Sequence, residues 1–395
     1  MTNICMIVYS YYPDDIRVRR EAEALVEKGL SVDIICLKGD HEEQKEVISG
    51  VNAYRLRMQR QRKGKLNYLW KYLMFMIIAF FKVNILDLNK RYKIVHIHNM
   101  PDILIFSAII QKLKGAKIIL DLHDPMPEVY MTKYSLNSGH IIIKTLKLLE
   151  RLSIGFSDMA VTPNIAFRDL FISRGCPENK MQIVMNSPQE SVFFQDLKKD
   201  VRNVVSQDII DGKKFIVMFH GTIVERHGLD TAVEAFVHLK EQIPGAVFLV
   251  FGEGDFVDPF LKLRDKHNLT DFVHYYGHVP IEDIVSVIPV IDVGLIPNKS
   301  SPFTDLNLPT RIFEYLCLGK PVIVPRTQGI LDYFKEDEIY FFQADNPTNL
   351  SQVILDVYSN HKKKEEIVRK GIAVYRRHTW DRERCRLLKI VSNLL

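Results

Sequence analysis

The feature that most restricts this chain is an alternation of short, continuously apolar runs with helically spaced segments, which proceeds through the first half, breaks off and restarts. Asn3 to Tyr9 reads as strand, Asp15 to Lys28 carries Val18, Ala22, Leu25 and Val26 at helical spacing, and Ser31 to Leu37 returns to strand. Lys93 to His98, Ala116 to Leu122, Met159 to Thr162 and Met181 to Met185 are further strands, with helices at Asp102 to Lys114 and Ile141 to Phe156. A polar, charge-mixed stretch then precedes a second series: Phe215 to Phe219, Ala246 to Phe251, Phe272 to Tyr276, Val293 to Pro297 and Pro321 to Val324. Runs that are apolar along their whole length are what strands covered by helices on both faces require. The alternation therefore predicts an α/β chain with two doubly wound, Rossmann-like domains. The expected division is 1–194, a linker at 195–213, a second domain at 214–370, and terminal helices at 371–395 that return to the first domain.

At 395 residues, 47% hydrophobic and 26% charged, the chain can bury two ordinary cores, which excludes a disordered or fibrous protein. Its five cysteines, Cys5, Cys36, Cys176, Cys317 and Cys385, are scattered and never form a C-x-x-C pair, so neither a disulfide framework nor a cysteine zinc site is supported. The first residues enter a strand directly, without a basic segment ahead of a long apolar one. An intracellular chain with a cytoplasmic site of action is expected.

The net charge of +5 is unevenly placed. Between Val47 and Leu86 there is no acid, while Arg55, Arg57, Arg60, Arg62, Lys63, Lys65, Lys71 and Lys82 contribute eight positive charges, leaving the remainder net negative. The same stretch contains Tyr72 to Phe81, ten apolar residues, against the roughly 20 that a membrane-spanning helix needs. Cations beside an apolar helix with Tyr68 and Trp70 at its edge suit a helix lying on an anionic bilayer surface. Peripheral attachment through residues 55–82 is the expectation, the alternative being a core helix after a solvated basic loop.

Ligands of open parallel sheets bind beyond the carboxyl ends of the strands, so polar residues there are where chemistry is sought. His220-Gly221-Thr222 follows one strand and leads to Glu225-Arg226-His227-Gly228, where a helix begins. Glycines allow close backbone approach, and cations with a helix start suit an anion such as a diphosphate. Gly252-Glu253-Gly254, Gly277-His278 and Asn298-Lys299 follow the next strands. The most informative stretch is Leu308-Pro309-Thr310-Arg311-Ile312-Phe313-Glu314, continuing to Gly319-Lys320-Pro321-Val322. Proline near a helix start leaves backbone amides free for phosphate oxygens, and Glu314, one turn in, can accept both hydroxyls of a ribose. The structural alternative is that Glu314 pairs with Arg311 three residues earlier.

The two-domain layout, the Gly221 loop, the Phe313-Glu314-Tyr315 and Gly319-Lys320-Pro321-Val322 elements and the terminal Trp380 helix resemble a GT-B glycosyltransferase, in particular glycosyltransferase family 4. Arg17-Val18-Arg19-Arg20-Glu21-Ala22 followed by Gly29, Val95-His96-Ile97-His98-Asn99 and Asp121-Leu122-His123-Asp124 resemble that family too. The resemblance implies two Rossmann-like domains facing across a cleft and a retaining transfer from a nucleotide diphosphate sugar, UDP-sugars favoured. The donor would lie on the C-terminal domain, and a glycan or lipid-linked acceptor on the N-terminal one. It implies no cofactor and no metal, a basic pair after the first C-terminal strand neutralising the diphosphate. It assigns His123, with Asp124 and Glu128 in the same loop, to the acceptor side, and Glu314 to the donor side.

Two departures from the family pattern stand out. Thr222 occupies the position of the usual arginine and His227 that of the usual lysine; Arg226 is the substitute, with Lys299 as helper, and a contribution from His227 would make activity pH-sensitive near neutrality. The first of two expected glutamates falls at Leu306, flanked by Asp305 and Asn307. Donor-binding candidates are thus Gly221, Thr222, His227, Gly252, Gly254, His278, Asn298, Lys299, Asp305, Asn307 and Leu308 to Arg311. The alternatives are a scaffold protein of a polysaccharide assembly complex, which would release no nucleotide diphosphate, and a nucleotide-sugar epimerase. Nucleic acid is not expected as a partner, since the basic cluster is confined to one segment without a recognised module.

Overall fold

The computed structural model describes residues 2–59, 65–195, 200–212 and 215–395. Arg60, Arg62 and Lys63 lie outside them, as does the side chain of Lys65. The chain divides into two compact units, Met1–Asn186 with Asp381–Leu395, and Ser187–Trp380. The first boundary thus falls before 194, and the chain rejoins the first unit at Asp381 rather than 371.

The first unit holds β1 (Asn3–Tyr11), α1 (Ile16–Glu27), β2 (Ser31–Leu37), β3 (Lys45–Ile48), β4 (Val51–Leu56), α2 (Lys65–Lys90), β5 (Ile94–His98), α3 (Ile109–Leu113), β6 (Lys117–Asp121), α4 (Met126–Tyr134), α5 (Ile141–Phe156), β7 (Met159–Thr162), α6 (Ile165–Ser173) and β8 (Met181–Ile183). Its sheet runs β3-β4-β2-β1-β5-β6-β7-β8 and is parallel except for the β3–β4 hairpin. A 3-10 turn at Asp102–Ala108 replaces the first part of the helix expected from Asp102. The core packs Ile4, Met6, Val18, Ala22, Leu25 and Ile34 with Leu387, Ile390 and Val391 of the C-terminal helix.

The second unit holds α7 (Glu190–Gln195), α8 (Gln207–Asp211), β9 (Ile216–His220), α9 (Leu229–Leu239), β10 (Val247–Phe251), α10 (Val257–Lys266), β11 (Val273–Tyr275), α11 (Ile281–Val287), β12 (Val293–Leu295), α12 (Arg311–Cys317), β13 (Val322–Pro325), α13 (Gln328–Leu331), β14 (Tyr340–Phe342), α14 (Pro347–Ser359) and α15 (His361–Tyr375); α16 (Trp380–Leu394) follows. Its strand order is β11-β10-β9-β12-β13-β14, and every pair is parallel. Both sheets are covered by crossover helices, as the apolar runs required.

Three expectations change. The hairpin β3–β4 was hidden because its outer strand is charged and exposed, and its turn relies on left-handed Ser49 (φ 49) and Gly50 (φ 81). The apolar stretch 72–81 is only the middle of a 26-residue helix, and Trp70–Lys90 is long and apolar enough to cross a membrane by length and composition. One side of that helix, Tyr72, Phe75, Ala79 and Val83, is buried in the unit, while Trp70, Ile77, Phe81, Ile85 and Leu88 on the other are exposed. Arg55 is no surface cation. It is buried in β4, ion-paired with Glu42 at 3.2 Å and Glu46 at 2.8 Å, and it donates to the Tyr12 carbonyl at 3.1 Å.

Candidate active site

In the first unit, β5 and β6 end side by side, with His98 in register with Asp121. Asn99 continues β5 and organises the region. Its Oδ1 accepts the His123 backbone N–H at 2.8 Å, and its Nδ2 donates to Asp102 at 2.9 Å and to the Asp124 carbonyl at 2.8 Å. His123 is buried, and its Nε2 lies 3.0 Å from His98 Nδ1, which in turn lies 3.3 Å from Asp121 Oδ2. A carboxylate only accepts, so a proton on His98 Nδ1 is shared between Asp121 and the His123 Nε2 acceptor, His123 Nδ1 holds the other ring proton, and the buried His98 Nε2 is left unbonded. Burial lowers the His123 pKa to about 3, with Asp121 opposing and Arg17 reinforcing the shift, so the ring is neutral at physiological pH. Burial would raise Asp121, yet the His123, His96 and His98 rings facing it hold it well below the carboxylate range.

His123 and Asp124 line a small cleft with Ser10, Asp15, Arg17 and Tyr72. Arg17 and Asp15 form an ion pair at 3.0 Å. Glu128 is absent from this group: it opens α4 and is buried in an ion pair with Arg174, which also holds Glu150. Deeper in the unit, Glu21, His96, His98 and Asp121 bring four potential cation-ligand atoms within 4.8 Å of one another, all buried. This is the one such group among the described residues, and it was not singled out from the sequence.

In the second unit the glycine loops after β9 and β10 pack on each other. A Cβ on Gly252 would stand 1.8 Å from the Gly221 carbonyl oxygen, and one on Gly254 1.9 Å from that of Ile223. The Gly221 amide donates to the Phe251 carbonyl at 3.0 Å, and the Gly252 amide to that of Gly277 at 2.6 Å. These glycines therefore serve loop-to-loop approach, where the sequence suggested approach to a ligand. Glu314 is held by His220, whose Nε2 lies 2.9 Å from its Oε2. Arg311 donates instead to the His220 carbonyl at 2.6 Å and lies over the Phe219 ring at 4.5 Å. The i−3 pair considered from sequence is thereby replaced by a His220–Glu314 contact between β9 and α12.

The remaining candidates separate by what already occupies them. Lys299 is ion-paired with Asp230 at 2.5 Å, so its helper role competes with a carboxylate. Arg226 stacks over Phe303 at 5.7 Å. His227 donates its Nδ1 proton to the Thr222 carbonyl at 2.6 Å, and burial, Arg311 and Arg226 push its pKa down to about 3. That removes the expected pH sensitivity near neutrality. Asp305 accepts from Ser300 Oγ at 2.9 Å and so braces its own loop, whereas Asn307 is half-buried nearby. Asn298 is buried with its Oδ1 unpartnered, and His278 is exposed after β11. Leu308 and Pro309 are buried ahead of Thr310, and the Ile312 amide bonds the Pro309 carbonyl at 3.1 Å.

His220, His98, Asp121, Asn99 and Arg17 stand in the quoted motifs without an assigned role, and Asp15 was given none. The signal was present for four of them, because His98, Asn99, Asp121 and His220 each stand at or just past the end of an apolar run.

Residues 201–374 match the model of the group 1 glycosyl transferases, and residues 15–187 that of the glycosyl transferase 4-like domain. The chain is 26% identical over 125 residues to Escherichia coli WcaL, a glycosyltransferase assigned to colanic acid biosynthesis, covering 31% of either chain. It is 22% identical over 246 residues to the chitobiosyldiphosphodolichol beta-mannosyltransferase of Candida glabrata, covering 58% of this chain and 54% of that one. The aligned parts thus span between about a third and a half of these relatives. Solved structures of the same fold include sucrose-phosphate synthase of Thermosynechococcus elongatus (TM-score 0.79, 16% identity, 100% of this chain and 99% of that one). Anabaena HepE, in complex with UDP and glucose, has a TM-score of 0.74 at 14% identity over the whole of both chains. Family models over both units, with the fold and the strand-end residues above, place the chain among the GT-B glycosyltransferases of group 1.

Proposed function

We propose that the chain moves a sugar, with retention at the anomeric carbon, from a nucleotide diphosphate sugar to a lipid-linked or surface-glycan acceptor in bacterial polysaccharide biosynthesis. The observation that carries the donor half of this reading is the His220–Glu314 contact at the head of α12. A neutral histidine that donates one hydrogen bond fixes the carboxylate and leaves it charged, ready to accept the two hydroxyls of a ribose. The complex of HepE with UDP and glucose is the reason UDP is favoured as the base-bearing half.

As the bond from the anomeric carbon to the diphosphate oxygen breaks, the oxygen gains negative charge, and the acceptor hydroxyl that forms the new bond on the same face passes its proton to that oxygen. Arg226, whose guanidinium follows the glycine loop and lies over the Phe303 ring, is assigned to the developing charge, with Lys299, ion-paired to Asp230, as helper. This scheme requires no divalent metal at the diphosphate. Asn307, with Asp305 occupied, is the better candidate for a contact to the donor sugar. On the acceptor side, His123 offers a ring N–H to a sugar oxygen. Attachment at the cytoplasmic face of the membrane is assigned to the exposed side of α2, with Arg57, Lys71 and the basic residues ahead of the helix as its cations. Lys82 lies over the Tyr54 ring at 5.0 Å.

The test is release of nucleotide diphosphate from UDP-, GDP- and dTDP-sugars by the full chain, with and without chelator. Release from one class that survives chelation is expected. Release from none of them, with no thermal stabilisation by any nucleotide diphosphate, refutes the reading.

A further inference from the structure

Helix α5 was legible as a helix, but its outward face has no role in the chemistry above. Ile143, Glu150 and Ile154 are buried and share one side. On the opposite side stand Ile141 (71% exposed), Leu148 (56%) and Leu152 (51%), at the spacing of a single helical stripe. Ile142 is exposed as well, and Lys144 and Arg151 border the stripe. The helix has one acid, Glu150, which is buried and ion-paired with Arg174 at 3.1 Å. The outward face is therefore apolar and purely cationic.

The topology sets this face beside that of α2. The chain advances in one direction along the sheet from β4 through α2 to β5, through α3 to β6 and through α5 to β7, so with right-handed crossovers these helices share one face of the sheet. The 3-10 turn at Asp102–Ala108 packs against both α2 and α5. Leu113 of α3 is 83% exposed in the same layer. An apolar surface built from three helices exceeds the scattered single residues that a soluble surface carries.

We propose that α5 is a second membrane-contacting helix, its Ile141, Ile142, Leu148 and Leu152 entering the interface of an anionic bilayer while Lys144 and Arg151 meet lipid phosphates. Charge decides the occupant. A second copy of the chain seated on this face would bring Lys144 and Arg151 against like charges, whereas an anionic lipid surface pairs with them. The cavity beside the same helix, of about 310 Å³, brings Lys180 near Arg151, its lining shared between the Glu150–Arg174 ion pair and apolar residues such as Ile154 and Phe171. The proposal extends the membrane reading of α2 but rests on different residues.

Co-flotation of the full chain with equimolar phosphatidylglycerol–phosphatidylcholine vesicles, against phosphatidylcholine alone, tests it. Leu148→Ser with Leu152→Ser should lower partition about tenfold or more. Lys144→Ser with Arg151→Ser should lower it about 25-fold, at about fivefold per charge, and remove the preference for anionic lipid. Nucleotide diphosphate release should be unchanged in both. Phe81→Ser with Ile85→Ser reports on α2 separately. Loss there with parental partition of both α5 variants overturns the α5 proposal and leaves the α2 reading standing, and the reverse pattern does the opposite. A parent that is dimeric by light scattering and becomes monomeric in the α5 variants assigns the face to a second copy, which also overturns the proposal.

Discussion

The two units build their strand-end sites in opposite ways. In the first, the polar groups are buried and hold one another: His123, His98, Asp121 and Asn99 form a connected array with little room for adjustment. In the second, the framework is backbone packed on backbone through glycine, and side chains are tied in separate pairs or to nearby carbonyls: Glu314 to His220, Lys299 to Asp230, and Arg311 and His227 to the His220 and Thr222 carbonyls. The contrast separates two ways of making a rigid site. A buried hydrogen-bond array fixes protonation as well as position, whereas close-packed loops fix position chiefly through the backbone.

The largest effects should come from the residue each unit holds hardest. Glu314→Ala and His123→Ala should each cut turnover by two orders of magnitude or more at saturating donor, with the fold intact by circular dichroism. His98→Asn should follow His123→Ala in direction with a smaller loss, through the tautomer. A His123→Ala enzyme that keeps most of its rate would reduce the first array to a structural element.

Arg226→Ala should weaken nucleotide diphosphate binding by about 1.5 to 3 kcal/mol, the worth of a charge-assisted hydrogen bond, read by titration calorimetry. Lys299→Ala should cost less, since its ammonium already has a partner; equal losses would erase the distinction drawn between the two cations.

Gly254→Ala should lower unfolding stability by about 1 to 3 kcal/mol, because its Cβ meets the Ile223 carbonyl oxygen at 1.9 Å and the loops must part. Parental stability in denaturant would show that the loops are not packed as tightly as described.

The pH dependence of stability distinguishes protonation in both units. His96, His123, His220 and His227 are pushed by burial from 6.5 to about 4, 3, 3 and 3. In that window the unfolded chain binds protons that the native one refuses, so stability should be retained above pH 6.5 and fall as pH drops toward 4. Replacing His123 or His220 with Gln should flatten the fall; an unchanged slope in both would mean that these rings titrate normally.

Most of the architecture was legible because parallel strands buried on both faces announce themselves as apolar runs. The exceptions have physical causes. The edge strand β3 is exposed and charged, so it carries no such run, and α2 was cut short because its polar flank, half-buried Asn84 and Lys90 and buried Asp87 among them, breaks an apolar count without breaking the helix. Glu314 and His123 were readable from position in a motif. Their partners were not, since pairing His220 with Glu314 or His98 with Asp121 depends on register between elements distant in sequence. Arg55 shows the converse error: a cation counted into a surface patch proved to be buried by two glutamates that precede it.

The path of the chain has a consequence for the order in which it can fold. The first unit's core includes Leu387, Ile390 and Val391, and Glu383 accepts the Met185 amide at 3.0 Å, yet Ser187–Trp380 intervenes as a unit of its own. During synthesis the earlier unit must wait for the later one to be translated, on the order of 10 to 40 s at cellular elongation rates. The inserted unit can finish first, although it begins second. Until then the side of the first sheet that α16 will cover stays open to water, which makes the last fifteen residues the closing step for a unit that begins at the first strand.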